Sequence, residues 1–353
     1  MVTITYFILV ILLCTAPSFC IEPITGLTAT IAAIGSIVYT GYYTFRCRFV
    51  TCCDDRWIVQ NITGLEHDLA LKLHGQHLVQ RTVVGHIKGH LRSQNPPKAL
   101  VLSFHGLTGV GKNFVSSIIA DNVYKDGLRS PYVHLISATK EFPHEGMVSV
   151  YKNELKSWIE GNVTICERSM FIFDEVDKLP ATLLDVIKPY VDYYEHLGGV
   201  IYRKAIFIFL SNTGGTDIAT VVRDRWRLGT SRESLKLSEV EKIVMSSAIN
   251  ADNHNGLWHS QLISSHLITA YIPFLPLEKR HIRKCITDSL ISMTYYSDVS
   301  DITSELVDEI MKELTFYPQA EQIFSSTGCK RVMEKIDYVM VDRDRHPGQK
   351  SEF

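Results

Sequence analysis

Two short segments constrain this chain more than anything else in it. They are Gly106-Leu107-Thr108-Gly109-Val110-Gly111-Lys112-Asn113 and Phe171-Ile172-Phe173-Asp174-Glu175. Each follows or ends an apolar run, Ala99 to Phe104 and Met170 to Phe173, that reads as a buried strand. The glycines of the first segment permit a backbone whose N–H groups curl around phosphate oxygens. The helix expected from Lys112 would aim its positive end at them, and Lys112 would neutralise charge. The second segment sets adjacent carboxylates at a strand end, Asp174 suited to hold Mg²⁺ through water and Glu175 to orient a hydrolytic water. Strand, loop and helix in that order, followed by a strand ending in Asp-Glu, point to a nucleoside triphosphate with Mg²⁺. Position 113 is Asn where Ser or Thr usually offers a hydroxyl to the metal; an amide oxygen is still a hard ligand.

A chain of 353 residues with 46% hydrophobic and 21% charged residues can bury a full core. Lys plus Arg total 36 against 38 for Asp plus Glu, net −2, with no basic stripe, so nothing argues for nucleic acid. Neither a fixed-period repeat nor a low-complexity tract is present.

The first residues set the compartment. Ile4 to Leu13 is an uncharged apolar run followed by Ala16-Pro17-Ser18-Phe19-Cys20, small residues suited to signal cleavage near Ile21, although a basic leading region is missing. A buried N-terminal strand is the other reading of that run. Ile24 to Phe45 has about the ~20-residue length that spans a bilayer, but Gly26, Gly35, Gly41 and several threonines dilute it. Tyr39, Tyr42 and Tyr43 gather at one end as interface aromatics do, which favours a hydrophobic hairpin or in-plane anchor over a full span. Asn61-Ile62-Thr63 and Asn162-Val163-Thr164 are glycosylation acceptors. Eight cysteines behind an apparent signal permit disulfides; Cys14 and Cys20 would leave with the signal. Cys47, Cys52 and Cys53 cluster after the apolar segment, and Cys285 and Cys329 lie in the C-terminal part.

From Asp54 to about Pro97 the apolar spacing is helical. Further strands are expected at Tyr132–Ile136 and Lys204–Leu210, and helices from Lys112 to Tyr124, from Tyr151 to Ile159, and after Glu175 through Ile187. That alternation predicts an α/β fold with a parallel sheet covered on both faces by helices. Asn212 ends the last strand, where open α/β sheets bind ligands; it fits either turn chemistry in Asn-Thr-Gly-Gly or a polar contact between attacking water and γ-phosphate. Pro273-Phe274-Leu275-Pro276 punctuates the chain, and helical patterns follow at Glu278–Met293, Ser300–Leu314 and Cys329–Met340. The expected organisation is a signal peptide over 1–20, a membrane-association segment over 21–53, a large nucleotide-binding domain over 54–272 and a small helical domain over 273–353.

Taken together these residues resemble the torsin family, lumenal members of the AAA+ ATPases, over nearly the whole chain from about Glu22. The loop ending Gly111-Lys112-Asn113 carries the resemblance, with Phe171-Ile-Phe-Asp174-Glu175-Val-Asp-Lys178 and Tyr132-Val-His-Leu135. So do Phe142-Pro-His144, Trp158 to Thr164, Phe207-Ile-Phe-Leu-Ser-Asn212, Trp258-His-Ser260, Pro273-Phe-Leu-Pro-Leu277 and Gly328-Cys329-Lys330. The resemblance implies a P-loop AAA+ fold followed by a sensor 2 helical domain, with Lys112 on the β- and γ-phosphates of ATP. Asn113 and Asp174 would be near Mg²⁺, Glu175 would polarise water, Asn212 would be sensor 1 and Lys330 sensor 2. It further implies a reversible Cys285–Cys329 pair and places Gly75-Gln76-His77 near adenine. Torsins lack a working arginine finger, although Arg223, Arg225 and Arg227 follow Asn212 here. The implied partner is a type II transmembrane activator with a lumenal AAA+-like domain that supplies one, alongside self-assembly into rings or filaments. The implied location is the lumen of the endoplasmic reticulum and nuclear envelope, in peripheral contact with the membrane. The implied activity is slow ATP hydrolysis that remodels lumenal or membrane-associated proteins. The competing expectation is a nucleotide-gated assembly module that hydrolyses ATP only incidentally, and a soluble P-loop kinase is a distant third.

Overall fold

A computed structural model describes residues 45–345 apart from 48, 49, 181, 251–256, 258 and 259. The signal-peptide expectation, most of the membrane-association segment and the Trp258-His259 match lie outside the described residues. Two compact units divide between Cys52 and Cys53, and within the first of them a disulfide joins Cys47 to Cys52.

The second unit begins with helices α1 (Ile62–Lys72) and α2 (His77–Arg92). Asn61 caps α1, its Oδ1 accepting from Gly64 N at 2.9 Å. The helical stretch read from Asp54 to Pro97 is therefore two helices, broken at residues 73–76. There follow β1 (Leu100–His105), α3 (Lys112–Val123), β2 (Val133–Ser137), α4 (Val148–Ile165), β3 (Met170–Asp174) and β4 (Ile206–Ser211). Then come α5 (Gly215–Arg227), α6 (Leu237–Asn250) and β5 (Ala270–Pro273). The helix expected through Ile187 is instead 3₁₀ turns at Val176–Lys178 and Leu183–Ile187, with one α turn at Lys188–Val191. Pro180 and Pro189 lie within that stretch and restrict the backbone before them.

The five strands form a parallel sheet in the order β2-β3-β4-β1-β5. A buried parallel sheet reads as one continuous apolar run, yet its two faces alternate in register. Leu100 pairs with Ile206, which pairs with Met170, and these with Leu102, Phe104, Ile172, Ile208 and Leu210 pack against α1, α2 and α3. On the other face Phe171 and Phe207 stack with centroids 5.0 Å apart beside Phe173 and Phe209, against Leu155 and Ile159 of α4, Val222 of α5 and Val244 of α6. A second disulfide, Cys53–Cys166, fastens the segment before α1 to the end of α4.

The C-terminal helical region consists of α7 (Lys279–Ser292), α8 (Ser304–Lys312), the short strand pair β6 (Phe316–Tyr317) and β7 (Phe324–Ser325), and α9 (Val332–Arg345). Leu277, Ile282, Ile286, Leu290, Leu306, Ile310, Val332 and Ile336 form its own apolar core. A third disulfide, Cys285–Cys329, joins α7 to the turn before α9, with Cα atoms 6.1 Å apart.

Candidate functional site

The sheet order decides what can meet. Because β4 lies between β1 and β3, the carboxyl ends of all three strands sit side by side, where open α/β sheets hold ligands. The loop after β1 brings Lys112, the end of β3 brings Asp174 and Glu175, and the end of β4 brings Asn212. Lys112 Nζ donates to Asn212 Oδ1 at 3.0 Å and to the carbonyls of Gly106 and Leu107 at 2.7 and 2.9 Å. Asn113 Nδ2 donates to Asp174 Oδ2 at 2.6 Å. Residues far apart in the chain thus converge at one end of the sheet.

Gly111 precedes α3 in the left-handed region at φ 107°, and Gly109 does the same at φ 80°. At Gly109 a Cβ atom would stand 1.8 Å from the Thr327 carbonyl oxygen, and at Gly328 one would stand 2.1 Å from the Gly109 oxygen. The crest of the phosphate loop therefore lies directly against the turn that carries Cys329 and Lys330, and Cys329 N donates to Gly109 O at 3.1 Å.

Burial pushes the Lys112 ammonium down to about 8, while Asp177 and Asp174 pull it back up. A buried cation with only neutral oxygens and two nearby carboxylates is poised to gain from an incoming polyphosphate. Glu175 stands at φ 58°, left-handed for a residue with a side chain, and Thr139 Oγ1 donates to its Oε2 at 3.0 Å. Asp177 holds Asn212 in place, accepting from its backbone N at 3.0 Å and facing its side-chain amide at 3.4 Å.

His105, fully buried at the end of β1, has its ring pushed down to about 4 by burial and is neutral. Its Nδ1 bonds the Thr213 carbonyl at 3.1 Å, which requires a proton there and leaves Nε2 to accept from Ser103 Oγ at 2.7 Å. This links the root of the phosphate loop to the turn after Asn212. Gln76 is also buried and fully bonded: Nε2 donates to Val110 O and Leu275 O, and Oε1 accepts from Leu275 N. Asp177 lies inside the stretch Asp174-Glu175-Val-Asp-Lys178, but Thr139 and His105 carry no local sequence signal.

One cavity of about 980 Å³ joins these parts, lined by Thr108, Gly109, Val110, Gly111, Lys112, Asn113, Asp174, Glu175, Asn212 and Lys330. The rest of its lining includes apolar Leu73, Leu277 and Met333 with His74, Asp288 and Ser289, and Leu73 reaches the loop itself, 3.3 Å from where a Cβ on Gly111 would stand. The site fits a nucleotide with a hard cation: a curled backbone, one buried lysine, and Asp174 and Asn113 as oxygen donors. Among the described residues no cluster of three or more His, Cys, Asp or Glu could cage a metal by itself. A triphosphate-bound Mg²⁺ needs only one or two protein oxygens.

Arg225 pairs with Glu239 and Arg227 with Glu321 at 2.5 Å, and neither these two nor Arg223 lines the cavity. The two glycosylation acceptors lie apart from it. Asn61 is exposed, whereas Asn162 is half-buried and its Nδ2 donates to Trp158 O at 2.8 Å.

The sheet order, the phosphate loop and the Asp-Glu strand end define a P-loop ATPase fold of the AAA+ class. Two solved forms of Hsp104 share it: the Saccharomyces cerevisiae Hsp104-ADP complex, at TM-score 0.56 and 16% identity, and a closed state of Hsp104 with ATPγS and FITC casein, at 0.57 and 17%. They cover 82% and 81% of this chain, which spans about half of theirs, 49% and 48%. The Torsin family model matches residues 47–173 and the Torsin-1A C-terminal domain model residues 277–339. A torsin-like protein of Caenorhabditis elegans is 42% identical over 332 residues, 93% of this chain and 92% of the relative. The chain belongs to the torsin family.

Proposed function

We propose that this chain binds ATP with Mg²⁺ and hydrolyses it slowly by itself, and that a membrane-bound partner supplies the missing positive charge. The observation that carries the reading is the convergence of Lys112 with Asn212, and of Asn113 with Asp174, on one cavity. Lys112 would leave its carbonyl partners for the β- and γ-phosphates, and Asn212 would face the γ-phosphate. Glu175, restrained by Thr139, would orient the attacking water. Asp174 and Asn113 would hold a metal ion, partly through water, and that ion would supply charge neutralisation at the phosphates. Lys330 would reach over the nucleotide from the C-terminal region. The Hsp104 forms carry ADP or ATPγS, which favours the same ligand here.

In the segment after Asn212, Arg225 and Arg227 are held in ion pairs with Glu239 and Glu321, and Arg223 in one with Asp224, which favours an outside source for the finger. An arginine finger is worth roughly 10³–10⁵ in rate. The proposed source is a type II transmembrane activator whose lumenal domain resembles this fold, with self-assembly into rings or filaments as the alternative neighbour. Three disulfides suit an oxidising compartment, in keeping with the lumen of the endoplasmic reticulum and nuclear envelope. Among the described residues no helix is long and apolar enough to cross a membrane. We further assign residues 54–272 and 273–353 as large and small domains, with the Cys285–Cys329 pair opening and closing reversibly, and Asn61 and Asn162 as glycan carriers.

The test is ATP turnover by the full chain with and without an activator's lumenal domain. Turnover should be slow alone and rise at least about a hundredfold with the activator, while Glu175→Gln should keep ATP bound and lose hydrolysis by about 10²–10⁴. Unaided turnover on the order of 1 per second or faster, an ordinary enzyme rate, defeats the activator proposal. A second reading, a nucleotide-gated assembly module, draws on the commitment of Asn113 to Asp174. It predicts that partner assembly tolerates Glu175→Gln and is lost with Lys112→Ala.

A further inference from the structure

Three of the four residues that break α1 from α2 are fastened to the C-terminal region or the linker leading to it. Gln76 holds Leu275 by two hydrogen bonds. The Gly75 carbonyl accepts from Arg232 Nη2 at 2.7 Å, and the same buried guanidinium donates to Pro276 O at 2.7 Å and to Glu278 at 3.1 Å. Gly75 itself, at φ 69°, lies so close to the His281 ring that a Cβ would stand 2.8 Å from it. His74 Nε2 donates to Asp288 Oδ2 at 2.5 Å.

The last of these bonds differs from the others in position. Gln76 and Arg232 grip the backbone at the linker, behind the cavity's walls. His74 and Asp288 both line the cavity. On α7 the cavity-facing residues are Cys285, Asp288, Ser289 and Ser292, spaced three and four apart on one face of the helix. The helix wall is thus tied at two points: Cys285 to Cys329 by a disulfide, and Asp288 to His74 by a hydrogen bond. The His74 side chain is 12% exposed and that of Asp288 55%, so the pair sits at the cavity's mouth rather than in its depth.

We propose that His74 and Asp288 are positioning residues that latch α7 over the base end of the cavity and so slow the departure of bound nucleotide. The proposal rests on the ATP-binding reading above. With phosphates at Lys112, the base would take the apolar lining of Leu277 and Met333 and leave between residues 71–74 and α7, which His74 and Asp288 join. The latch holds that gap. A hydrogen bond to a carboxylate, partly screened at a rim, is worth about a three- to tenfold difference in a rate or affinity.

The experiment measures release of N-methylanthraniloyl-ATP from the full chain, for wild type, His74→Ala, Asp288→Ala, the double variant and Asp288→Asn. Folding is checked by melting temperature. The expected result is release about three- to tenfold faster in either alanine variant, no faster in the double variant, with KM rising more than kcat falls. Asp288→Asn keeps an acceptor oxygen and should restore most of the slow release. Amide hydrogen exchange gives a second reading without nucleotide: α7 should lose protection in both alanine variants. Additive effects in the double variant, or wild-type release rates in the single ones, overturn the latch. If the wild-type chain binds no ATP analogue, the nucleotide reading falls and takes the latch with it, an outcome distinct from unaltered release in a chain that does bind.

Discussion

The two ends of the cavity are built in different ways. At the phosphate end, residues 106–113 are consecutive, and what holds them is mostly backbone geometry and one buried ammonium. At the proposed base end, Leu73, His74, Leu277, Asp288 and Met333 come from four separate stretches, brought together by packing, the Cys285–Cys329 disulfide and the His74–Asp288 hydrogen bond. The phosphate end needs few residue types, because phosphate is recognised by N–H groups and positive charge. The base end accepts many apolar combinations, because a flat ring asks chiefly for surface. One end is therefore chemically demanding and written locally, the other permissive and assembled from a distance.

The two ends should differ in how much a substitution costs. Lys112→Ala should cost on the order of 100-fold in ATP affinity, measured by isothermal titration, because it removes charged contacts worth about 1.5–3 kcal/mol each. Alkaline pH gives a graded version. Burial holds Lys112 at about 8 in the free protein, so the amine is neutral above that value and cannot attract phosphate. Affinity should fall by up to about tenfold per pH unit above 8. The same shift runs the other way for folding. The unfolded chain binds the proton up to the ordinary lysine value, so this residue's cost to stability is full below pH 8 and relieved as pH rises toward 10.5. Met333→Ala, at a half-exposed wall of the base end, should weaken ATP only about two- to fivefold, the value of partial apolar burial. If Met333→Ala proves as damaging as Lys112→Ala, the contrast between the two ends is wrong.

The same contrast explains what reading the chain alone recovers. The strands β1, β3 and β4 were legible because buried parallel strands are dense apolar runs with sharp ends, and the loop after β1 because glycine and lysine spacing has a chemical reason. Strand β5 went unread: Ala270–Pro273 is four residues, ends in proline and looks like punctuation. The stretch after Glu175 read as helix from its leucines, but proline broke it into turns. Thr139 and His105 were invisible because a threonine after a strand and a histidine inside one have many ordinary uses. Only the fold puts the first on Glu175 and the second between Ser103 and Thr213. Cys166 gave no sign of its partner, since pairing with Cys53 depends on a Cα separation of 5.4 Å across 113 residues.

The amino-acid sequence by itself determined the chemistry: which loop can cradle phosphate, which carboxylates end a strand, and, by family resemblance, which asparagine and lysine join them. Those are short-range facts, set by neighbours a few bonds away. The tertiary structure alone decided that β4 lies between β1 and β3, bringing Asn212 within 3.0 Å of Lys112. It also decided that residues 74–76 grip the C-terminal region. Strand order and lobe contacts follow from how whole apolar faces pack, a sum over dozens of side chains that no single motif encodes.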